Sequence, residues 1–185
     1  MSSPLLSEPC DCGRRRLLAA LPALLVLPAR AAAAEGANRR LLLLSTHTGE
    51  LLDTLYYRDG AYDPAELGRL DWLLRDHRSG EVLPIAQGLY DLLHELALAA
   101  GREPRYEIIS GYRSPATNAK LAATTDGVSS KSLHMQGRAM DVRLTGYPTA
   151  DLRDLALAKR AGGVGYYPTS DFVHLDLGAV RSWSG

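Results

Sequence analysis

Cysteine is nearly missing from this 185-residue chain: the only two, Cys10 and Cys12, stand within its first dozen residues. A domain built downstream of them has no disulfide, and any metal site in it must be made from His, Asp or Glu. Phenylalanine occurs once and tryptophan twice, so a core has to come mainly from leucine and tyrosine. An excess of either charge is also missing, since 21 basic residues balance 21 acidic ones. No basic run survives beyond the leader and no aromatic–basic interleaving appears, which argues against nucleic acid as a partner. Long apolar runs are absent as well. The best candidate, Leu17–Ala29, is interrupted by Pro22 and Pro28 and falls short of the roughly 20 residues a spanning helix needs.

That short run has the flanks of an export signal. Arg14, Arg15 and Arg16 precede it and the alanines Ala31 to Ala34 follow it, so residues 1–34 are expected to be a cleaved signal peptide. The paired arginines resemble the twin-arginine type, although Cys12-Gly13 precede them and no Phe follows. Cleavage near Ala33 or Ala34 would discard both cysteines and leave residues 35–185 as a single domain in the periplasm. Losing four arginines and two acids leaves that domain two negative charges. It is expected to lack a stable membrane span and to be monomeric.

Within the domain, Leu41–Thr46 and Leu51–Tyr57 read as a strand hairpin around Thr48-Gly49-Glu50. Asp63-Pro64-Ala65-Glu66 is a helix start: Asp63 can cap free amides, and Pro64 loses nothing at the first helical position. A second helix is expected over Pro84–Ala100, with Leu89, Leu92, Leu93 and Leu96 on its inner face. Tyr106–Ser110, Ala139–Leu144, Val164–Tyr167 and Phe172–Leu177 read as strands, with helices from Pro115 to Leu121 and Thr149 to Arg160. Pairs of helices between hairpin-like strands predict an α+β fold: a mainly antiparallel central sheet with flanking helices.

The chemistry is concentrated in two segments. In His134-Met135-Gln136-Gly137-Arg138-Ala139-Met140-Asp141 an imidazole leaves a loop and a carboxylate enters a strand, with Gly137 permitting the bend between them. His174 stands on a separate strand, on the same face as Asp176. Two imidazoles and one carboxylate can hold one zinc ion and leave a fourth position for water. The bland alternatives are a surface histidine and an Asp141 paired with Arg138 or Arg143. His47, His77 and His94 have no matching ligand partners, and Trp72 and Trp183 read as packing residues.

Ser132-Leu133-His134 through Asp141 resembles the SxHxxGxAxD signature of the zinc D-alanyl-D-alanine peptidase superfamily, which includes the M15 peptidases and Hedgehog-like domains. Ser110-Gly111-Tyr112-Arg113-Ser114-Pro115 upstream and Phe172-Val173-His174-Leu175-Asp176-Leu177-Gly178 downstream narrow the resemblance to the murein endopeptidase K branch, the DUF882 or YcbK-like family. The resemblance covers about Leu41 to Trp183. It implies a Hedgehog/DD-peptidase-like fold and zinc ligands at His134, Asp141 and His174. It also implies a metallo-endopeptidase acting on stem peptides and cross-links of peptidoglycan. A murein DD- or LD-carboxypeptidase and a non-catalytic zinc-containing wall-binding module are the alternative functions.

Asp171, three residues before His174, stands where wider relatives place a catalytic Glu, an ordinary turn-forming residue being the alternative reading; Asp176 is its rival as proton acceptor or as a group orienting an imidazole. Arg113 is the candidate for steadying the oxyanion or clasping a substrate carboxylate. Ser132 and Tyr112 are candidates for contact with the bound peptide, and Tyr166 and Tyr167 could wall a cleft.

Overall fold

The computed structural model describes residues 38–124 and 129–185; the expected signal peptide lies outside them. The elements are β1 (Arg39–Ser45), β2 (Leu51–Arg58), β3 (Ala61–Tyr62), α1 (Pro64–Leu73), α2 (Gln87–Ala99), β4 (Arg105–Ser110), α3 (Pro115–Thr124), a 3-10 turn (Leu133–Gln136), β5 (Ala139–Leu144), α4 (Thr149–Lys159), β6 (Gly163–Tyr167), β7 (Phe172–Asp176) and β8 (Arg181–Ser184). The strands form one sheet in the order β3-β2-β1-β4-β5-β7-β6-β8.

The fold is α+β, but the sheet is mixed and the expectation of a mainly antiparallel one is corrected. β1 runs parallel to β4, and β6 parallel to β8. Between β2 and β4 the chain passes through α1 and α2 and re-enters beside β1, and a crossover of that length delivers a parallel neighbour where a tight turn cannot. β8 was not foreseen. Its four residues are mostly exposed and carry no apolar alternation to announce a strand.

Alternation along the strands separates two faces. Leu41, Leu43, Tyr106, Met140, Val142, Leu144, Val173 and Leu175 point to one side and form a single buried cluster with α1, α2 and α4. Asp63 caps α1 as expected, accepting from the amides of Ala65 and Glu66. Helix α2 begins at Gln87 rather than Pro84. The preceding residues are held extended: the Ile85 amide donates to Asp71 (2.9 Å) and the Ala86 amide to the Gly137 carbonyl (2.8 Å). Buried tyrosines replace the missing phenylalanines at no polar cost. The Tyr106 hydroxyl donates to the Leu93 carbonyl (2.7 Å) and the Tyr90 hydroxyl to Asp71 (2.8 Å). Fully burying each leucine of this cluster contributes about 1.5–3 kcal/mol, so the helix-covered face holds the sheet together. The opposite face is free to carry polar chemistry.

Candidate metal centre and cleft

Asp141 and His174 lie opposite each other on the paired strands β5 and β7, on the face away from the helices. His134 comes from the 3-10 turn just before β5. Ser132 caps that turn by accepting from the His134 amide (3.4 Å), and Gly137 ends it in the left-handed region at φ 63°. Gly137 also passes so close to the chain at Pro84 that a Cβ would sit 2.4 Å from the Pro84 carbonyl oxygen.

Three atoms converge. Asp141 Oδ1 lies 2.8 Å from His174 Nδ1 and 3.3 Å from His134 Nε2, and the two imidazole nitrogens are 3.2 Å apart. Zinc bonded tetrahedrally at roughly 2.0–2.2 Å spaces neighbouring ligand atoms about 3.3–3.5 Å apart, so a small opening of this triangle fits one ion. The outer ring nitrogens are committed elsewhere: His134 Nδ1 donates to the Gly111 carbonyl (2.7 Å) and His174 Nε2 to Asp176 Oδ2 (3.2 Å). Each ring is thereby held in the tautomer whose lone pair faces the triangle. All three residues are buried, and they are the one such group among the described residues.

Charge in the centre is balanced locally. Burial raises the Asp141 carboxyl, but the two imidazoles outweigh it and hold the group well below the usual carboxylate range. Burial likewise disfavours a charged His174, yet Asp141 and Asp176 prevail and push it up to about 9. Metal and proton therefore compete for this ring.

Asp176 is 1% exposed. It accepts from the amides of Gly163 (3.0 Å) and Gly178 (2.7 Å), and Arg181 pairs with it at 2.6 Å. It lies on the far side of the His174 ring from the triangle, with both oxygens engaged, so its geometry is that of an orienting group rather than a base. Asp171 sits in a turn at φ 51°. Its Oδ1 accepts from Thr149 (2.7 Å), and Arg143 pairs with its side chain and donates to its carbonyl. Three-residue spacing before His174 suggested a base, but the turn directs the side chain away, and Asp171 does not line the cleft.

The triangle opens into a cleft of about 530 Å³. Arg113, Ser132 and Tyr167 line it. Arg113 Nη2 stands 3.8 Å from Asp141 Oδ2, while its Nε is buried without a partner. Tyr112 belongs instead to the core, 8% exposed, its amide donating to the Leu74 carbonyl (2.7 Å). Tyr166 packs against the core, with Arg153 over its ring. Trp72 is 55% exposed rather than packed.

The largest omission of the sequence reading is β8. Arg181 pairs in register with Gly163, and Trp183 with Gly165. A Cβ at Gly163 would meet Asp176 Oδ2 at 2.5 Å and Arg181 Nη1 at 2.6 Å, and one at Gly165 would meet the Trp183 indole at 2.6 Å. Bare of side chains there, β6 lets β8 reach across it to β7. Arg181 grips Asp176, and the indole, read from sequence as packing, lies 5.1 Å from the His174 ring and lines the cleft. Its Nε1 donates to the Tyr167 hydroxyl (2.9 Å). The glycines of Gly162-Gly163-Val164-Gly165 were the available signal.

A family model described as peptidoglycan L,D-endopeptidase MepK matches residues 32–183. The chain belongs to this family. It is 42% identical over 178 residues to the peptidoglycan L,D-endopeptidase MepK of Escherichia coli (strain K12), covering 94% of this chain and 98% of that protein, and equally similar to the Shigella flexneri protein of the same name. The probable peptidoglycan L,D-endopeptidase MepK of Haemophilus influenzae is 38% identical over 148 residues, 80% of either chain. No solved structure gives a significant match. No helix among the described residues is long and apolar enough to cross a membrane.

Proposed function

We propose that this chain is a zinc-dependent murein endopeptidase that acts in the periplasm and hydrolyses L,D cross-links of peptidoglycan, the amide joining two diaminopimelate residues. The convergence of three ligand atoms at 2.8–3.3 Å, at the floor of a cleft in a chain of this family, carries the reading. The mixed sheet is then a member of the Hedgehog/DD-peptidase-like architecture.

His134 Nε2, Asp141 Oδ1 and His174 Nδ1 would hold the ion. Bound zinc supplies Lewis acidity toward a carbonyl and lowers the pKa of water. The chain's own groups do the rest. Gly111 and Asp176 fix the two rings so that their lone pairs converge. Arg113, lowered from its usual pKa by burial despite Asp141 nearby, brings a cation to the cleft. There it can meet an oxygen that gains negative charge as the amide is attacked. Ser132 lines the same cleft and can donate to the bound peptide. Tyr167 and Trp183 supply an apolar wall that limits water around the reacting bond.

The test is mass analysis of defined muropeptides incubated with the zinc-loaded chain. Dimers cross-linked between two diaminopimelates should become monomers. Release of single amino acids from uncross-linked stems would indicate a carboxypeptidase instead. Intact dimers, with folding and zinc occupancy demonstrated, would overturn the proposal.

A further inference from the structure

The end of the cleft away from Trp183 is built around a second buried carboxylate, Asp76, 2% exposed in the segment between α1 and α2. Its Oδ1 accepts from the amides of Arg78 (2.9 Å) and Ser79 (3.4 Å), and its Oδ2 from the amide of Ser114 (2.9 Å). One side chain thus ties the turn bearing Arg78 to the turn bearing Arg113. A second tie comes from the neighbouring residue: the His77 ring stacks on His47 of the β1–β2 turn, centroids 4.0 Å apart and planes within 18°. His47, Arg78 and Arg113 all line the cleft.

The charge there is one-sided. The lining carries Arg78, Arg113, Lys131 and Arg181 against Asp141 and Asp176. Asp176 is neutralised by Arg181, and Asp141 faces the two imidazoles. Among the described residues, Arg78 and Lys131 have no carboxylate within salt-bridge reach. Arg78 stands near enough to Arg113 to help depress it. Arg78 and His47 are both exposed, so a ligand in the cleft can reach them. Asp76 and Asp141 offset part of this charge at Arg113, yet two guanidinium groups against the one carboxylate beneath them leave a positive excess that an acceptor between them would meet.

We propose that Arg78, with His47 beside it, forms a subsite for a free carboxylate of the substrate, in the same cleft as the metal centre and continuous with Arg113. This inference rests on the endopeptidase reading. Each diaminopimelate of an L,D cross-link keeps a carboxylate at its D centre, and a guanidinium takes a carboxylate through two parallel hydrogen bonds. The subsite recognises that charge and so selects the diacid cross-link over a neutral one.

The test pairs two substrates with two variants. Cross-linked dimers with free or amidated diaminopimelate carboxylates are given to the zinc-loaded wild type, Arg78→Gln and Arg78→Lys. Amidation should raise the wild-type KM about tenfold, the order expected for one charged hydrogen-bonded pair, with kcat little changed. Arg78→Gln should show the raised KM on the free-carboxylate dimer and no response to amidation, and Arg78→Lys should recover part of the discrimination. Calorimetric binding of an uncross-linked diaminopimelate muropeptide, free or amidated, is read in parallel and needs no turnover. Tighter binding of the free form that disappears in Arg78→Gln supports the subsite even if neither dimer is cut, in which case only the endopeptidase reading falls. Discrimination in Arg78→Gln equal to that of the wild type, in KM or in binding, overturns the subsite.

Discussion

The two ends of the cleft are each organised by a buried aspartate, and they use it differently. Asp176 sits at the end of a β-ladder, where its neighbours are fixed in register, and its partners include a cation and a metal-ligand candidate, Arg181 and His174. Asp76 sits between two turns and its partners are mainly neutral amides and hydroxyls. The ladder end controls the angle of one imidazole, where a small error would spoil coordination. The loop end controls where two guanidinium groups stand, a task that tolerates more movement. Under the proposed function the sheet would carry the chemistry and the loops the recognition, a division that would let specificity change without disturbing the metal centre.

The contrast can be broken hardest at the triangle itself. Alanine at His134, Asp141 or His174 should abolish stoichiometric zinc, read by metal analysis of the folded fraction, and reduce turnover to background. Next is Asp176→Ala, which leaves Arg181 and the His174 ring without their shared acceptor. A loss of about 1–3 kcal/mol in denaturant unfolding is expected for leaving the buried Gly163 amide without its acceptor, with zinc affinity falling about 10- to 100-fold in chelator competition. Gly165→Ala should cost about 1–3 kcal/mol and displace the Trp183 indole, visible as a change in tryptophan fluorescence.

At the loop end, Asp76→Asn should destabilise the protein by about 1–3 kcal/mol at neutral pH, because an amide group would face donors. Burial alone would raise the Asp76 carboxyl, but hydrogen bonds from Thr117, Ser114 and Arg78 hold it below its ordinary value. Its contribution is therefore complete above about pH 4 and is lost as pH falls through the lower folded value. The gap between variant and wild type should close in acid, as thermal melts across pH 2–7 would show. Smallest is Asp171→Asn. The side chain is 65% exposed and asparagine tolerates the left-handed backbone, so kcat/KM should stay within about twofold; a collapse of turnover with zinc retained would restore Asp171 as the base.

Much of the helix-covered face was legible because its rules are local. Leucine spacing marked α2, Asp63-Pro64 marked the start of α1, and alternation separated Asp141 from Met140 and Val142. The His134, Asp141 and His174 group that converges in the structure was legible through one contiguous signature and a separate strand motif. What escaped depends on contacts distant in the chain. Asp76 matters because Ser114, 38 residues later, donates to it. β8 matters only once β6 is seen to lack side chains where it crosses. Spacing from His174 could not separate a base from a turn-forming residue at Asp171, because it says nothing about a turn that engages the side chain with Thr149 and Arg143. The parallel pairing of β1 with β4 is set by a crossover through two helices, which no strand pattern encodes.

Both margins of the eight-stranded sheet are short: β3 has two residues and β8 four, with Arg181 and Ser182 exposed. Unsatisfied strand margins invite any extended backbone to add itself, and a wall hydrolase would work among extended peptides. At the β8 margin, so short a strand gives a stem peptide little to zip onto, and under the proposed function the charged trough is its better-matched landing place.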